Sequence, residues 1–193
     1  MKKTAILYFL LLVHFLQAHQ VKVVLEPEKK NYYFGENILF HYHLINTGNT
    51  KVTIQFGGDY RGGFRYNRFK VKVTNEQGKN LTDPYPSEID FGGLVAEFEI
   101  LPGDTFTHTL QLNYYARFLR GGTYHISIKH DLGWKENEIP IGETDLTLID
   151  PDEDKAGSLI NEMLNYPKNQ SWTYGKKQKQ FADFYAIRNE VFY

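Results

Sequence analysis

The stretch NILFHYHLI, residues 37–45, decides the fold of this chain. Successive side chains of a β-strand point to opposite faces, so a strand with one buried face alternates apolar and polar residues. Here His41 and His43 interrupt a series of apolar side chains at every second position: Ile38, Phe40, Tyr42 and Leu44. The alternation predicts a strand that buries one face and turns the two histidines to the other.

The same period of two recurs along the chain as far as residue 149. It is present in residues 21–25, 51–56, 68–75, 96–100, 106–112, 123–130 and 144–149. Turn residues such as NTGN, NEQG and LPGD separate these segments, and no helical pattern intervenes, so the strands should pair antiparallel. The sequence therefore predicts a mainly β fold: an antiparallel immunoglobulin-like β-sandwich of about eight strands over residues 19–150, with a short helical tail over residues 151–193.

Two local features sharpen this prediction. In GGTY, residues 121–124, Tyr124 opens a late strand and is a candidate for the tyrosine that closes a corner of immunoglobulin-like domains. In the tail, Asp150 followed by Pro151 is typical of a helix N-cap and first helical position. An apolar stripe follows that is expected to pack on the sandwich or on a partner: Leu159, Ile160, Met163 and Leu164. A second helix is predicted within residues 178–193.

The first eighteen residues have the pattern of a secretory signal peptide. Lys2 and Lys3 precede an apolar run over residues 5–16, which is too short to cross a bilayer, and Ala18 suits a cleavage site. No later apolar run is long enough to span a membrane, so no transmembrane segment is expected after cleavage. The sequence thus predicts an exported protein, located in the periplasm or outside the cell.

Composition and missing motifs exclude several functions. A net charge of −1 argues against nucleic-acid binding, and the absence of cysteine excludes disulfides and thiolate chemistry. No Gly-x-Ser-x-Gly, phosphate-loop or His-Glu-x-x-His pattern occurs, so we expect no catalytic residue and no cofactor. His41 and His43 could share a metal ion, but no third ligand stands out. We therefore interpret them as solvent-facing strand residues and predict no metal site.

The loop GGDYRGGFR, residues 57–65, is richer in glycine and charge than a plain connection requires. If the strands simply alternate in direction, its charged and aromatic residues lie near the loop that follows residue 130. The candidate cluster is then Asp59, Tyr60, Arg61, Arg65, Asp131 and Trp134. Either these residues brace the two loops against each other, or they form a recognition surface for a ligand or partner.

Three longer stretches together resemble a known type of domain. They are GGDYRGGFRYNRFKVKV, DPYPSEIDFGGL and LPGDTFTHTLQLNYYARFLRGGTYHISIKHDLGW. Over residues 21–150 the chain resembles an immunoglobulin-like β-sandwich domain of uncharacterised exported bacterial proteins, often found ahead of HEAT-type helical repeats. The resemblance implies the fold but no activity, so no catalytic residue is carried over from it. Where such proteins continue into repeats, about two helices are predicted here.

The function favoured by these observations is a non-enzymatic, extracytoplasmic interaction module. Its partner is expected to be another envelope or extracellular protein. One alternative is a carbohydrate-binding module, motivated by aromatic residues in the predicted loops: Tyr60, Tyr85, Tyr114, Tyr115 and Trp134. A further alternative is a proteinase inhibitor, although no loop is marked as a scissile segment.

Overall fold

The computed structural model describes residues 20–59, 65–86 and 92–164. These ranges contain nine strands, two 3₁₀ turns and one helix. The strands are β1 (Val21–Pro27), β2 (Tyr32–Tyr33), β3 (Leu39–Asn46), β4 (Val52–Gly57), β5 (Phe69–Asn75), β6 (Val95–Ile100), β7 (Thr105–Gln111), β8 (Gly122–His130) and β9 (Ile141–Ile149), and the helix is α1 (Glu153–Leu164). The signal peptide predicted over residues 1–18 and the second predicted helix lie outside the described residues.

The strands form three sheets, with orders β1-β3-β7, β2-β9-β8-β5 and β4-β6. All neighbouring strands are antiparallel except β2, which pairs parallel with β9 through Tyr32 and Tyr33. The prediction of a mainly β, antiparallel immunoglobulin-like sandwich is confirmed. The additional two-residue strand β2 raises the strand number above the expected eight, and it introduces a parallel pair that the sequence pattern did not predict.

The core lies on the face that strand alternation predicts. The side chains of Ile38, Phe40, Tyr42 and Leu44 are at most 1% exposed, whereas His41 and His43 between them are partly exposed. Alternate residues of β5, β8 and β9 contribute the opposite side of the core: Phe69, Val73, Ile126, Ile128, Leu146 and Leu148. Each fully buried side chain of this size stabilises the fold by about 1.5–3 kcal/mol relative to exposure.

The first and last strands approach each other closely at Gly142 of β9. A Cβ atom added at this glycine would lie 2.3 Å from Cγ1 of Val23 and 3.0 Å from Cγ of Leu25, both on β1. Separations of this kind are too short for carbon atoms, so only glycine fits without a shift of its neighbours. Gly142 therefore sets the distance between β1 and β9.

Tyr124 closes a corner of the fold, as its sequence position predicts. Its hydroxyl donates to the carbonyl oxygen of Arg120 over 2.8 Å, and the side chain is 5% exposed. A bond from a tyrosine hydroxyl back to the chain a few residues upstream is the geometry of the corner in immunoglobulin-like domains. The next loop residue, Gly121, donates its N–H to Oδ1 of Asp150 at the end of β9.

Helix α1 begins two residues later than the sequence suggests. Asp152, rather than Asp150, is the cap: its Oδ1 accepts from the N–H of Lys155 over 2.8 Å, and its carbonyl oxygen accepts from the N–H of Ala156. Asp150 is unavailable for capping because its carboxylate already binds Gly121. The predicted cap position was therefore wrong, although an acidic N-cap was correct.

The predicted apolar stripe of α1 is not covered uniformly. Ile160 is 43% exposed and Leu159 is partly buried, so Ile160 does not pack on the sandwich, which was one of the two expected surfaces, and its packing on a partner stays a prediction. The side chains of Met163 and Leu164 lie outside the described part of the structure. Lys155 anchors the first turn instead, with its Nζ 4.9 Å from the ring centroid of Tyr33 and 3.7 Å from Oε1 of Glu36.

No helix within the described ranges has both the length and the apolar character needed to cross a membrane.

Candidate functional site

Arg65, at the end of the glycine-rich loop, is held by a carboxylate, two carbonyls and an aromatic ring. Its Nη1 and Nη2 donate to Oδ1 and Oδ2 of Asp83, each over 2.8 Å. Nη1 also donates to the carbonyl oxygen of Tyr114 over 2.8 Å, and Nη2 donates to that of Tyr85 over 3.4 Å. The guanidinium carbon lies 5.2 Å from the ring centroid of Tyr115. Two-point pairing of this kind fixes the orientation of both partners.

The surroundings of Asp83 lower the pKa of its carboxyl group. Partial burial raises the pKa of its carboxyl, but the hydrogen bonds from Arg65 and from the N–H of Tyr85 lower it by more. The net effect is a pKa below the ordinary value for aspartate. Asp83 is therefore ionised at neutral pH and balances the charge of Arg65, whose side chain is only 12% exposed.

Asp59 and Asp131 meet through Arg68 rather than directly. Oδ2 of Asp59 accepts a hydrogen bond from the N–H of Arg68, and Asp59 is 5% exposed. The N–H of Asp131 donates to the carbonyl oxygen of Arg68 over 2.9 Å, and Nη1 of Arg68 lies 3.8 Å from Oδ2 of Asp131. A buried carboxylate at the start of the loop thus fixes the entry to β5.

Trp134 joins its loop to strand β4. The indole Nε1 donates to the carbonyl oxygen of Thr53 over 2.8 Å, and the N–H of Gln55 donates to the carbonyl oxygen of Leu132 over 2.9 Å. Gly133 between them has a φ of 77°, and a Cβ there would lie 2.7 Å from the side chain of Gln55. The loop after β8 therefore packs along β4, and a larger residue at position 133 would have to displace the Gln55 side chain and adopt a positive φ.

The structure distributes the predicted cluster over two places. Asp59 and Asp131 both contact Arg68, and Trp134 lies beside β4. Arg65 differs from the expectation, because it binds the 83–85 segment and Tyr114, which simple strand alternation places at the opposite end of the sandwich. The reason is that the segment after β5 turns back antiparallel along it, with Asn80 paired to Thr74 and the N–H of Leu81 bonded to the carbonyl oxygen of Val73, which returns Asp83 to the start of β5. Tyr60 and Arg61 lie outside the described residues.

Strand β5 has an open edge beside this cluster. In an antiparallel pair, successive residues direct their backbone groups alternately toward and away from the neighbouring strand. The N–H of Phe69 and the carbonyl oxygen of Val73 bond Tyr66 and Leu81, away from β8. The backbone groups of Val71, midway between them, point the same way, and within the described residues they have no hydrogen-bond partner.

A cavity of about 360 Å³ runs along this open edge. Besides β5 residues 69–73, it is lined by Arg65, Asn67, Asn80, Leu81, Asp83 and Tyr115. Lys70 and Lys72 are exposed on the solvent face of β5, and neither has an ion-pair partner in the part of the chain that the structure describes. We call this feature the β5 groove. It combines unpaired backbone groups, a partly buried Val71 and two free positive charges.

Two of the aromatic residues proposed as a sugar-stacking platform are buried. Tyr114 is 7% exposed and Tyr115 is 8% exposed, and the hydroxyl of Tyr115 donates to the carbonyl oxygen of Tyr66. Tyr85 and Trp134 are partly buried. The expectation that Tyr114 and Tyr115 lie in exposed loops was therefore wrong, because the turn after β7 folds back into the core.

His130 is fully buried in the core, and His108 beside it is half-buried. Among the described residues, Nε2 of His108 and both ring nitrogens of His130 have no hydrogen-bond partner. The ring of His130 is stacked on Phe69, with centroids 4.0 Å apart. Burial lowers the pKa of His108 to about 4. Burial, with a smaller effect of the nearby charges of His108 and Arg68, lowers the pKa of His130 to about 3. Both rings are therefore neutral at physiological pH.

The surface histidines contact threonines of the neighbouring strand. His41 Nδ1 lies 3.0 Å from Oγ1 of Thr109, and His43 Nδ1 lies 2.9 Å from Oγ1 of Thr107 on the neighbouring strand. No cluster of three or more histidine, aspartate or glutamate side chains suited to a metal occurs in residues 20–59, 65–86 and 92–164.

Comparison with known proteins gives only distant similarities. No protein-family model and no curated protein matches the chain. A CARDB domain from Pyrococcus furiosus, solved in complex with di-metal ions, is similar with a TM-score of 0.36 and 13% identity, covering 68% of this chain and 94% of that one. A β-glucosidase from Erythrobacter marinus is similar with a TM-score of 0.36 and 12% identity, covering 67% of this chain.

A β-glucosidase from Listeria innocua, in complex with glucose, is similar with a TM-score of 0.33 and 9% identity. The chain spans 15% of the Erythrobacter enzyme and 16% of the Listeria enzyme. Likenesses this weak carry no argument about activity or ligands.

Several residues of the site were not predicted from the sequence. Asp83 is the partner of Arg65, and Arg68 is the partner of Asp59. Val71 lies at the centre of the open edge of β5. A signal was present for Lys70 and Lys72, whose alternation with apolar residues marks one face of a strand. Nothing local shows that β5 ends its sheet, because that depends on which strand pairs with which.

Proposed function

We propose that this chain is a non-enzymatic β-sandwich module that acts outside the cytoplasm and binds another protein. The observation that supports this function is the β5 groove. There an unpaired stretch of strand backbone, centred on Val71, lies in a cavity of about 360 Å³. The free edge of a sheet is a template for another strand.

The chemistry of the groove favours an extended protein segment. A strand added to β5 would satisfy the N–H and carbonyl of Val71, and its alternate side chains would lie beside Lys70 and Lys72 on the solvent face. Acidic side chains at those positions would pair with the two lysines. The expected ligand is therefore an extended segment that alternates acidic and apolar residues.

Export is the second part of this proposal. It is supported by the signal-peptide pattern of residues 1–18 and by the lack of cysteine, which leaves the fold independent of disulfide formation. A carbohydrate-binding function has less support, since burial of Tyr114 and Tyr115 removes two of the aromatic rings on which it depended.

The test is partner capture by two variants at one position. Val71→Pro removes the outward N–H and is compatible with an edge strand, since proline is accepted where the N–H faces solvent. Val71→Ala keeps the N–H and serves as the matched control. Each immobilised protein is exposed to envelope and culture-medium proteins of the native host. We expect the parent and Val71→Ala to retain a partner that Val71→Pro loses, and equal retention by all three would exclude the groove.

A further inference from the structure

Within the described residues strand β6 also has an open edge, and the contacts of β4 show which of its backbone groups face outward. The N–H of Gln55 and the carbonyl oxygen of Thr53 on β4 bond Leu132 and Trp134, so they point away from β6. Gln55 lies opposite Glu97, and Thr53 lies opposite Glu99. In an antiparallel pair, the backbone N–H and C=O groups of two directly opposite residues either all point toward the partner strand or all point away from it. The backbone groups of Glu97 and Glu99 therefore face the free edge of β6.

The side chains of β6 are exposed on both of its faces. Glu97 and Glu99 share the solvent face. Glu99 forms an ion pair with Lys51, and both of these side chains are exposed. Ala96 and Phe98 occupy the other face, where Phe98 is 41% exposed although sequence alternation predicts its burial. The cause is that β6 pairs only with β4 within the described residues. This strand thus alternates acidic and apolar residues, which is the pattern that the β5 groove favours.

Charge decides which open edges can join. Two β5 edges would place lysines beside lysines, and two β6 edges would place glutamates beside glutamates, and like charges on neighbouring strands destabilise a pair. Of the three combinations of these two edges, β5 with β6 is the one that brings opposite charges together. We propose that β6 of one copy of this chain adds to the β5 groove of a second copy, which rests on the function proposed above and names the partner at that site.

The backbone directions determine that the added strand runs parallel to β5. The outward residues of β5 carry core-facing side chains such as Val71, whereas the outward residues of β6 carry solvent-facing ones such as Glu97. In an antiparallel pair, residues whose backbone groups face the partner lie directly opposite each other and share a face of the sheet. Val71 would then lie beside Glu97, so a core-facing side chain would share a face with a solvent-facing one. In a parallel pair, a residue whose backbone groups face the partner bonds the two residues that flank the one opposite it. Val71 then lies opposite Phe98 and bonds Glu97 and Glu99, so apolar side chains share one face and charged side chains the other.

The resulting register pairs every face correctly. Lys70 lies beside Glu97 of the second copy, and Lys72 lies beside its Glu99. Val71 then lies beside Phe98, whose ring contacts Phe56 and Phe106 of its own copy and presents its 41% exposed surface to the groove. The outward N–H of Phe69 bonds Tyr66 and the outward carbonyl oxygen of Val73 bonds Leu81, so the contact is confined to residues 70–72 of β5 and 97–99 of β6.

This contact joins two different surfaces of the same chain. Each copy therefore keeps one free β5 and one free β6 after the first contact, and further copies can add. Contacts of this head-to-tail type build rings or open chains rather than stopping at a symmetric dimer.

The test is a charge exchange followed by sedimentation velocity over a range of concentrations. One variant carries Lys70→Glu and Lys72→Glu, the second carries Glu97→Lys and Glu99→Lys, and all four side chains are exposed. We expect the parent to associate with rising concentration and each variant to require about tenfold more protein or greater for the same association. An equimolar mixture of the two variants restores both kinds of contact and should associate like the parent.

A backbone variant tests the same contact independently of charge. Val71→Pro should abolish association of the parent, whereas Val71→Ala should keep it. A monomeric parent, or a mixture that associates no better than its components, overturns the self-association proposal. In that event, capture of a foreign partner that Val71→Pro loses would leave the proposed function standing. Loss of both self-association and capture would remove both.

Discussion

The guanidinium of Arg65 and the carboxylate of Asp83 form two parallel hydrogen bonds of 2.8 Å each. This pair links the end of the glycine-rich loop to the 83–85 segment, and Tyr115 covers the guanidinium. Because Arg65 also donates to the backbone at Tyr114, one side chain fastens three separate parts of the chain. The loop thus has a bracing role at its described end.

Loss of this pair should destabilise the fold. Arg65→Ala leaves Asp83 without its charge partner and removes one donor from the Tyr114 carbonyl, so we expect a decrease of about 2–3 kcal/mol in the free energy of unfolding. Arg120→Ala is the control, because Arg120 is exposed and only its backbone is used in the corner with Tyr124. Urea unfolding measures both. A change under about 0.5 kcal/mol for Arg65→Ala would show that the pair is dispensable.

Stability should fall as the solution is acidified below about pH 6.5. His108 and His130 have folded-state pKa values of about 4 and about 3, below the ordinary 6.5, because burial disfavours their charged forms. Between pH 6.5, where the histidines of the unfolded chain titrate, and the lower folded-state pKa values, the unfolded chain binds more protons than the folded chain. Acid therefore favours unfolding in this range. The slope is up to about 1.4 kcal/mol per pH unit for each histidine.

Two substitutions separate this effect from general acid unfolding. His130→Phe removes one titrating ring and should reduce the slope between pH 6.5 and 4 by about half. Tyr42→Phe removes a buried hydroxyl in contact with the same ring cluster but no group that titrates in this range, so its slope should equal that of the parent. Urea unfolding at stepped pH measures the slopes. An unchanged slope in His130→Phe would contradict the assignment.

Two glycines should respond to alanine in opposite directions. Gly142→Ala places a Cβ 2.3 Å from Val23 and forces β1 and β9 apart, so we expect a loss of about 1–3 kcal/mol. Gly157→Ala lies inside α1 with no atom within 4 Å of the added Cβ, and should stabilise the helix by about 0.5–1 kcal/mol. Thermal unfolding followed by far-ultraviolet circular dichroism measures both. Equal effects at the two sites would refute the close approach at Gly142.

Cleavage of the signal peptide is expected after Ala18, because a charged start precedes a short apolar run and a small residue. Protein isolated from the native host should then begin at His19. Intact mass and N-terminal sequencing decide the point. A preparation in which Met1 is retained would contradict export by this route.

The strand pattern could be predicted from sequence because it is local. Alternation of period two identified the buried face of β3, and a Gly-x-Tyr motif identified the corner tyrosine, since both depend on residues that are neighbours in the chain. An acidic residue at the start of the helix could also be predicted from neighbouring residues. Which aspartate caps the helix could not, because it depends on a residue far away in the chain. Asp150 and Asp152 are equally suitable by sequence, and the distant Gly121 decides between them by binding Asp150.

What the sequence by itself determined is the fold class, the faces of most strands and the corner at Tyr124. Only the tertiary structure decided that Arg65 binds Asp83, that β2 pairs parallel with β9, and that β5 and β6 have open edges. Alternation specifies the face of each strand but not its neighbour, because strand pairing depends on contacts between residues far apart in the chain. The exposed Phe98 shows the consequence: its position in the pattern predicts burial, and the lack of a second neighbour for β6 among the described strands leaves it exposed.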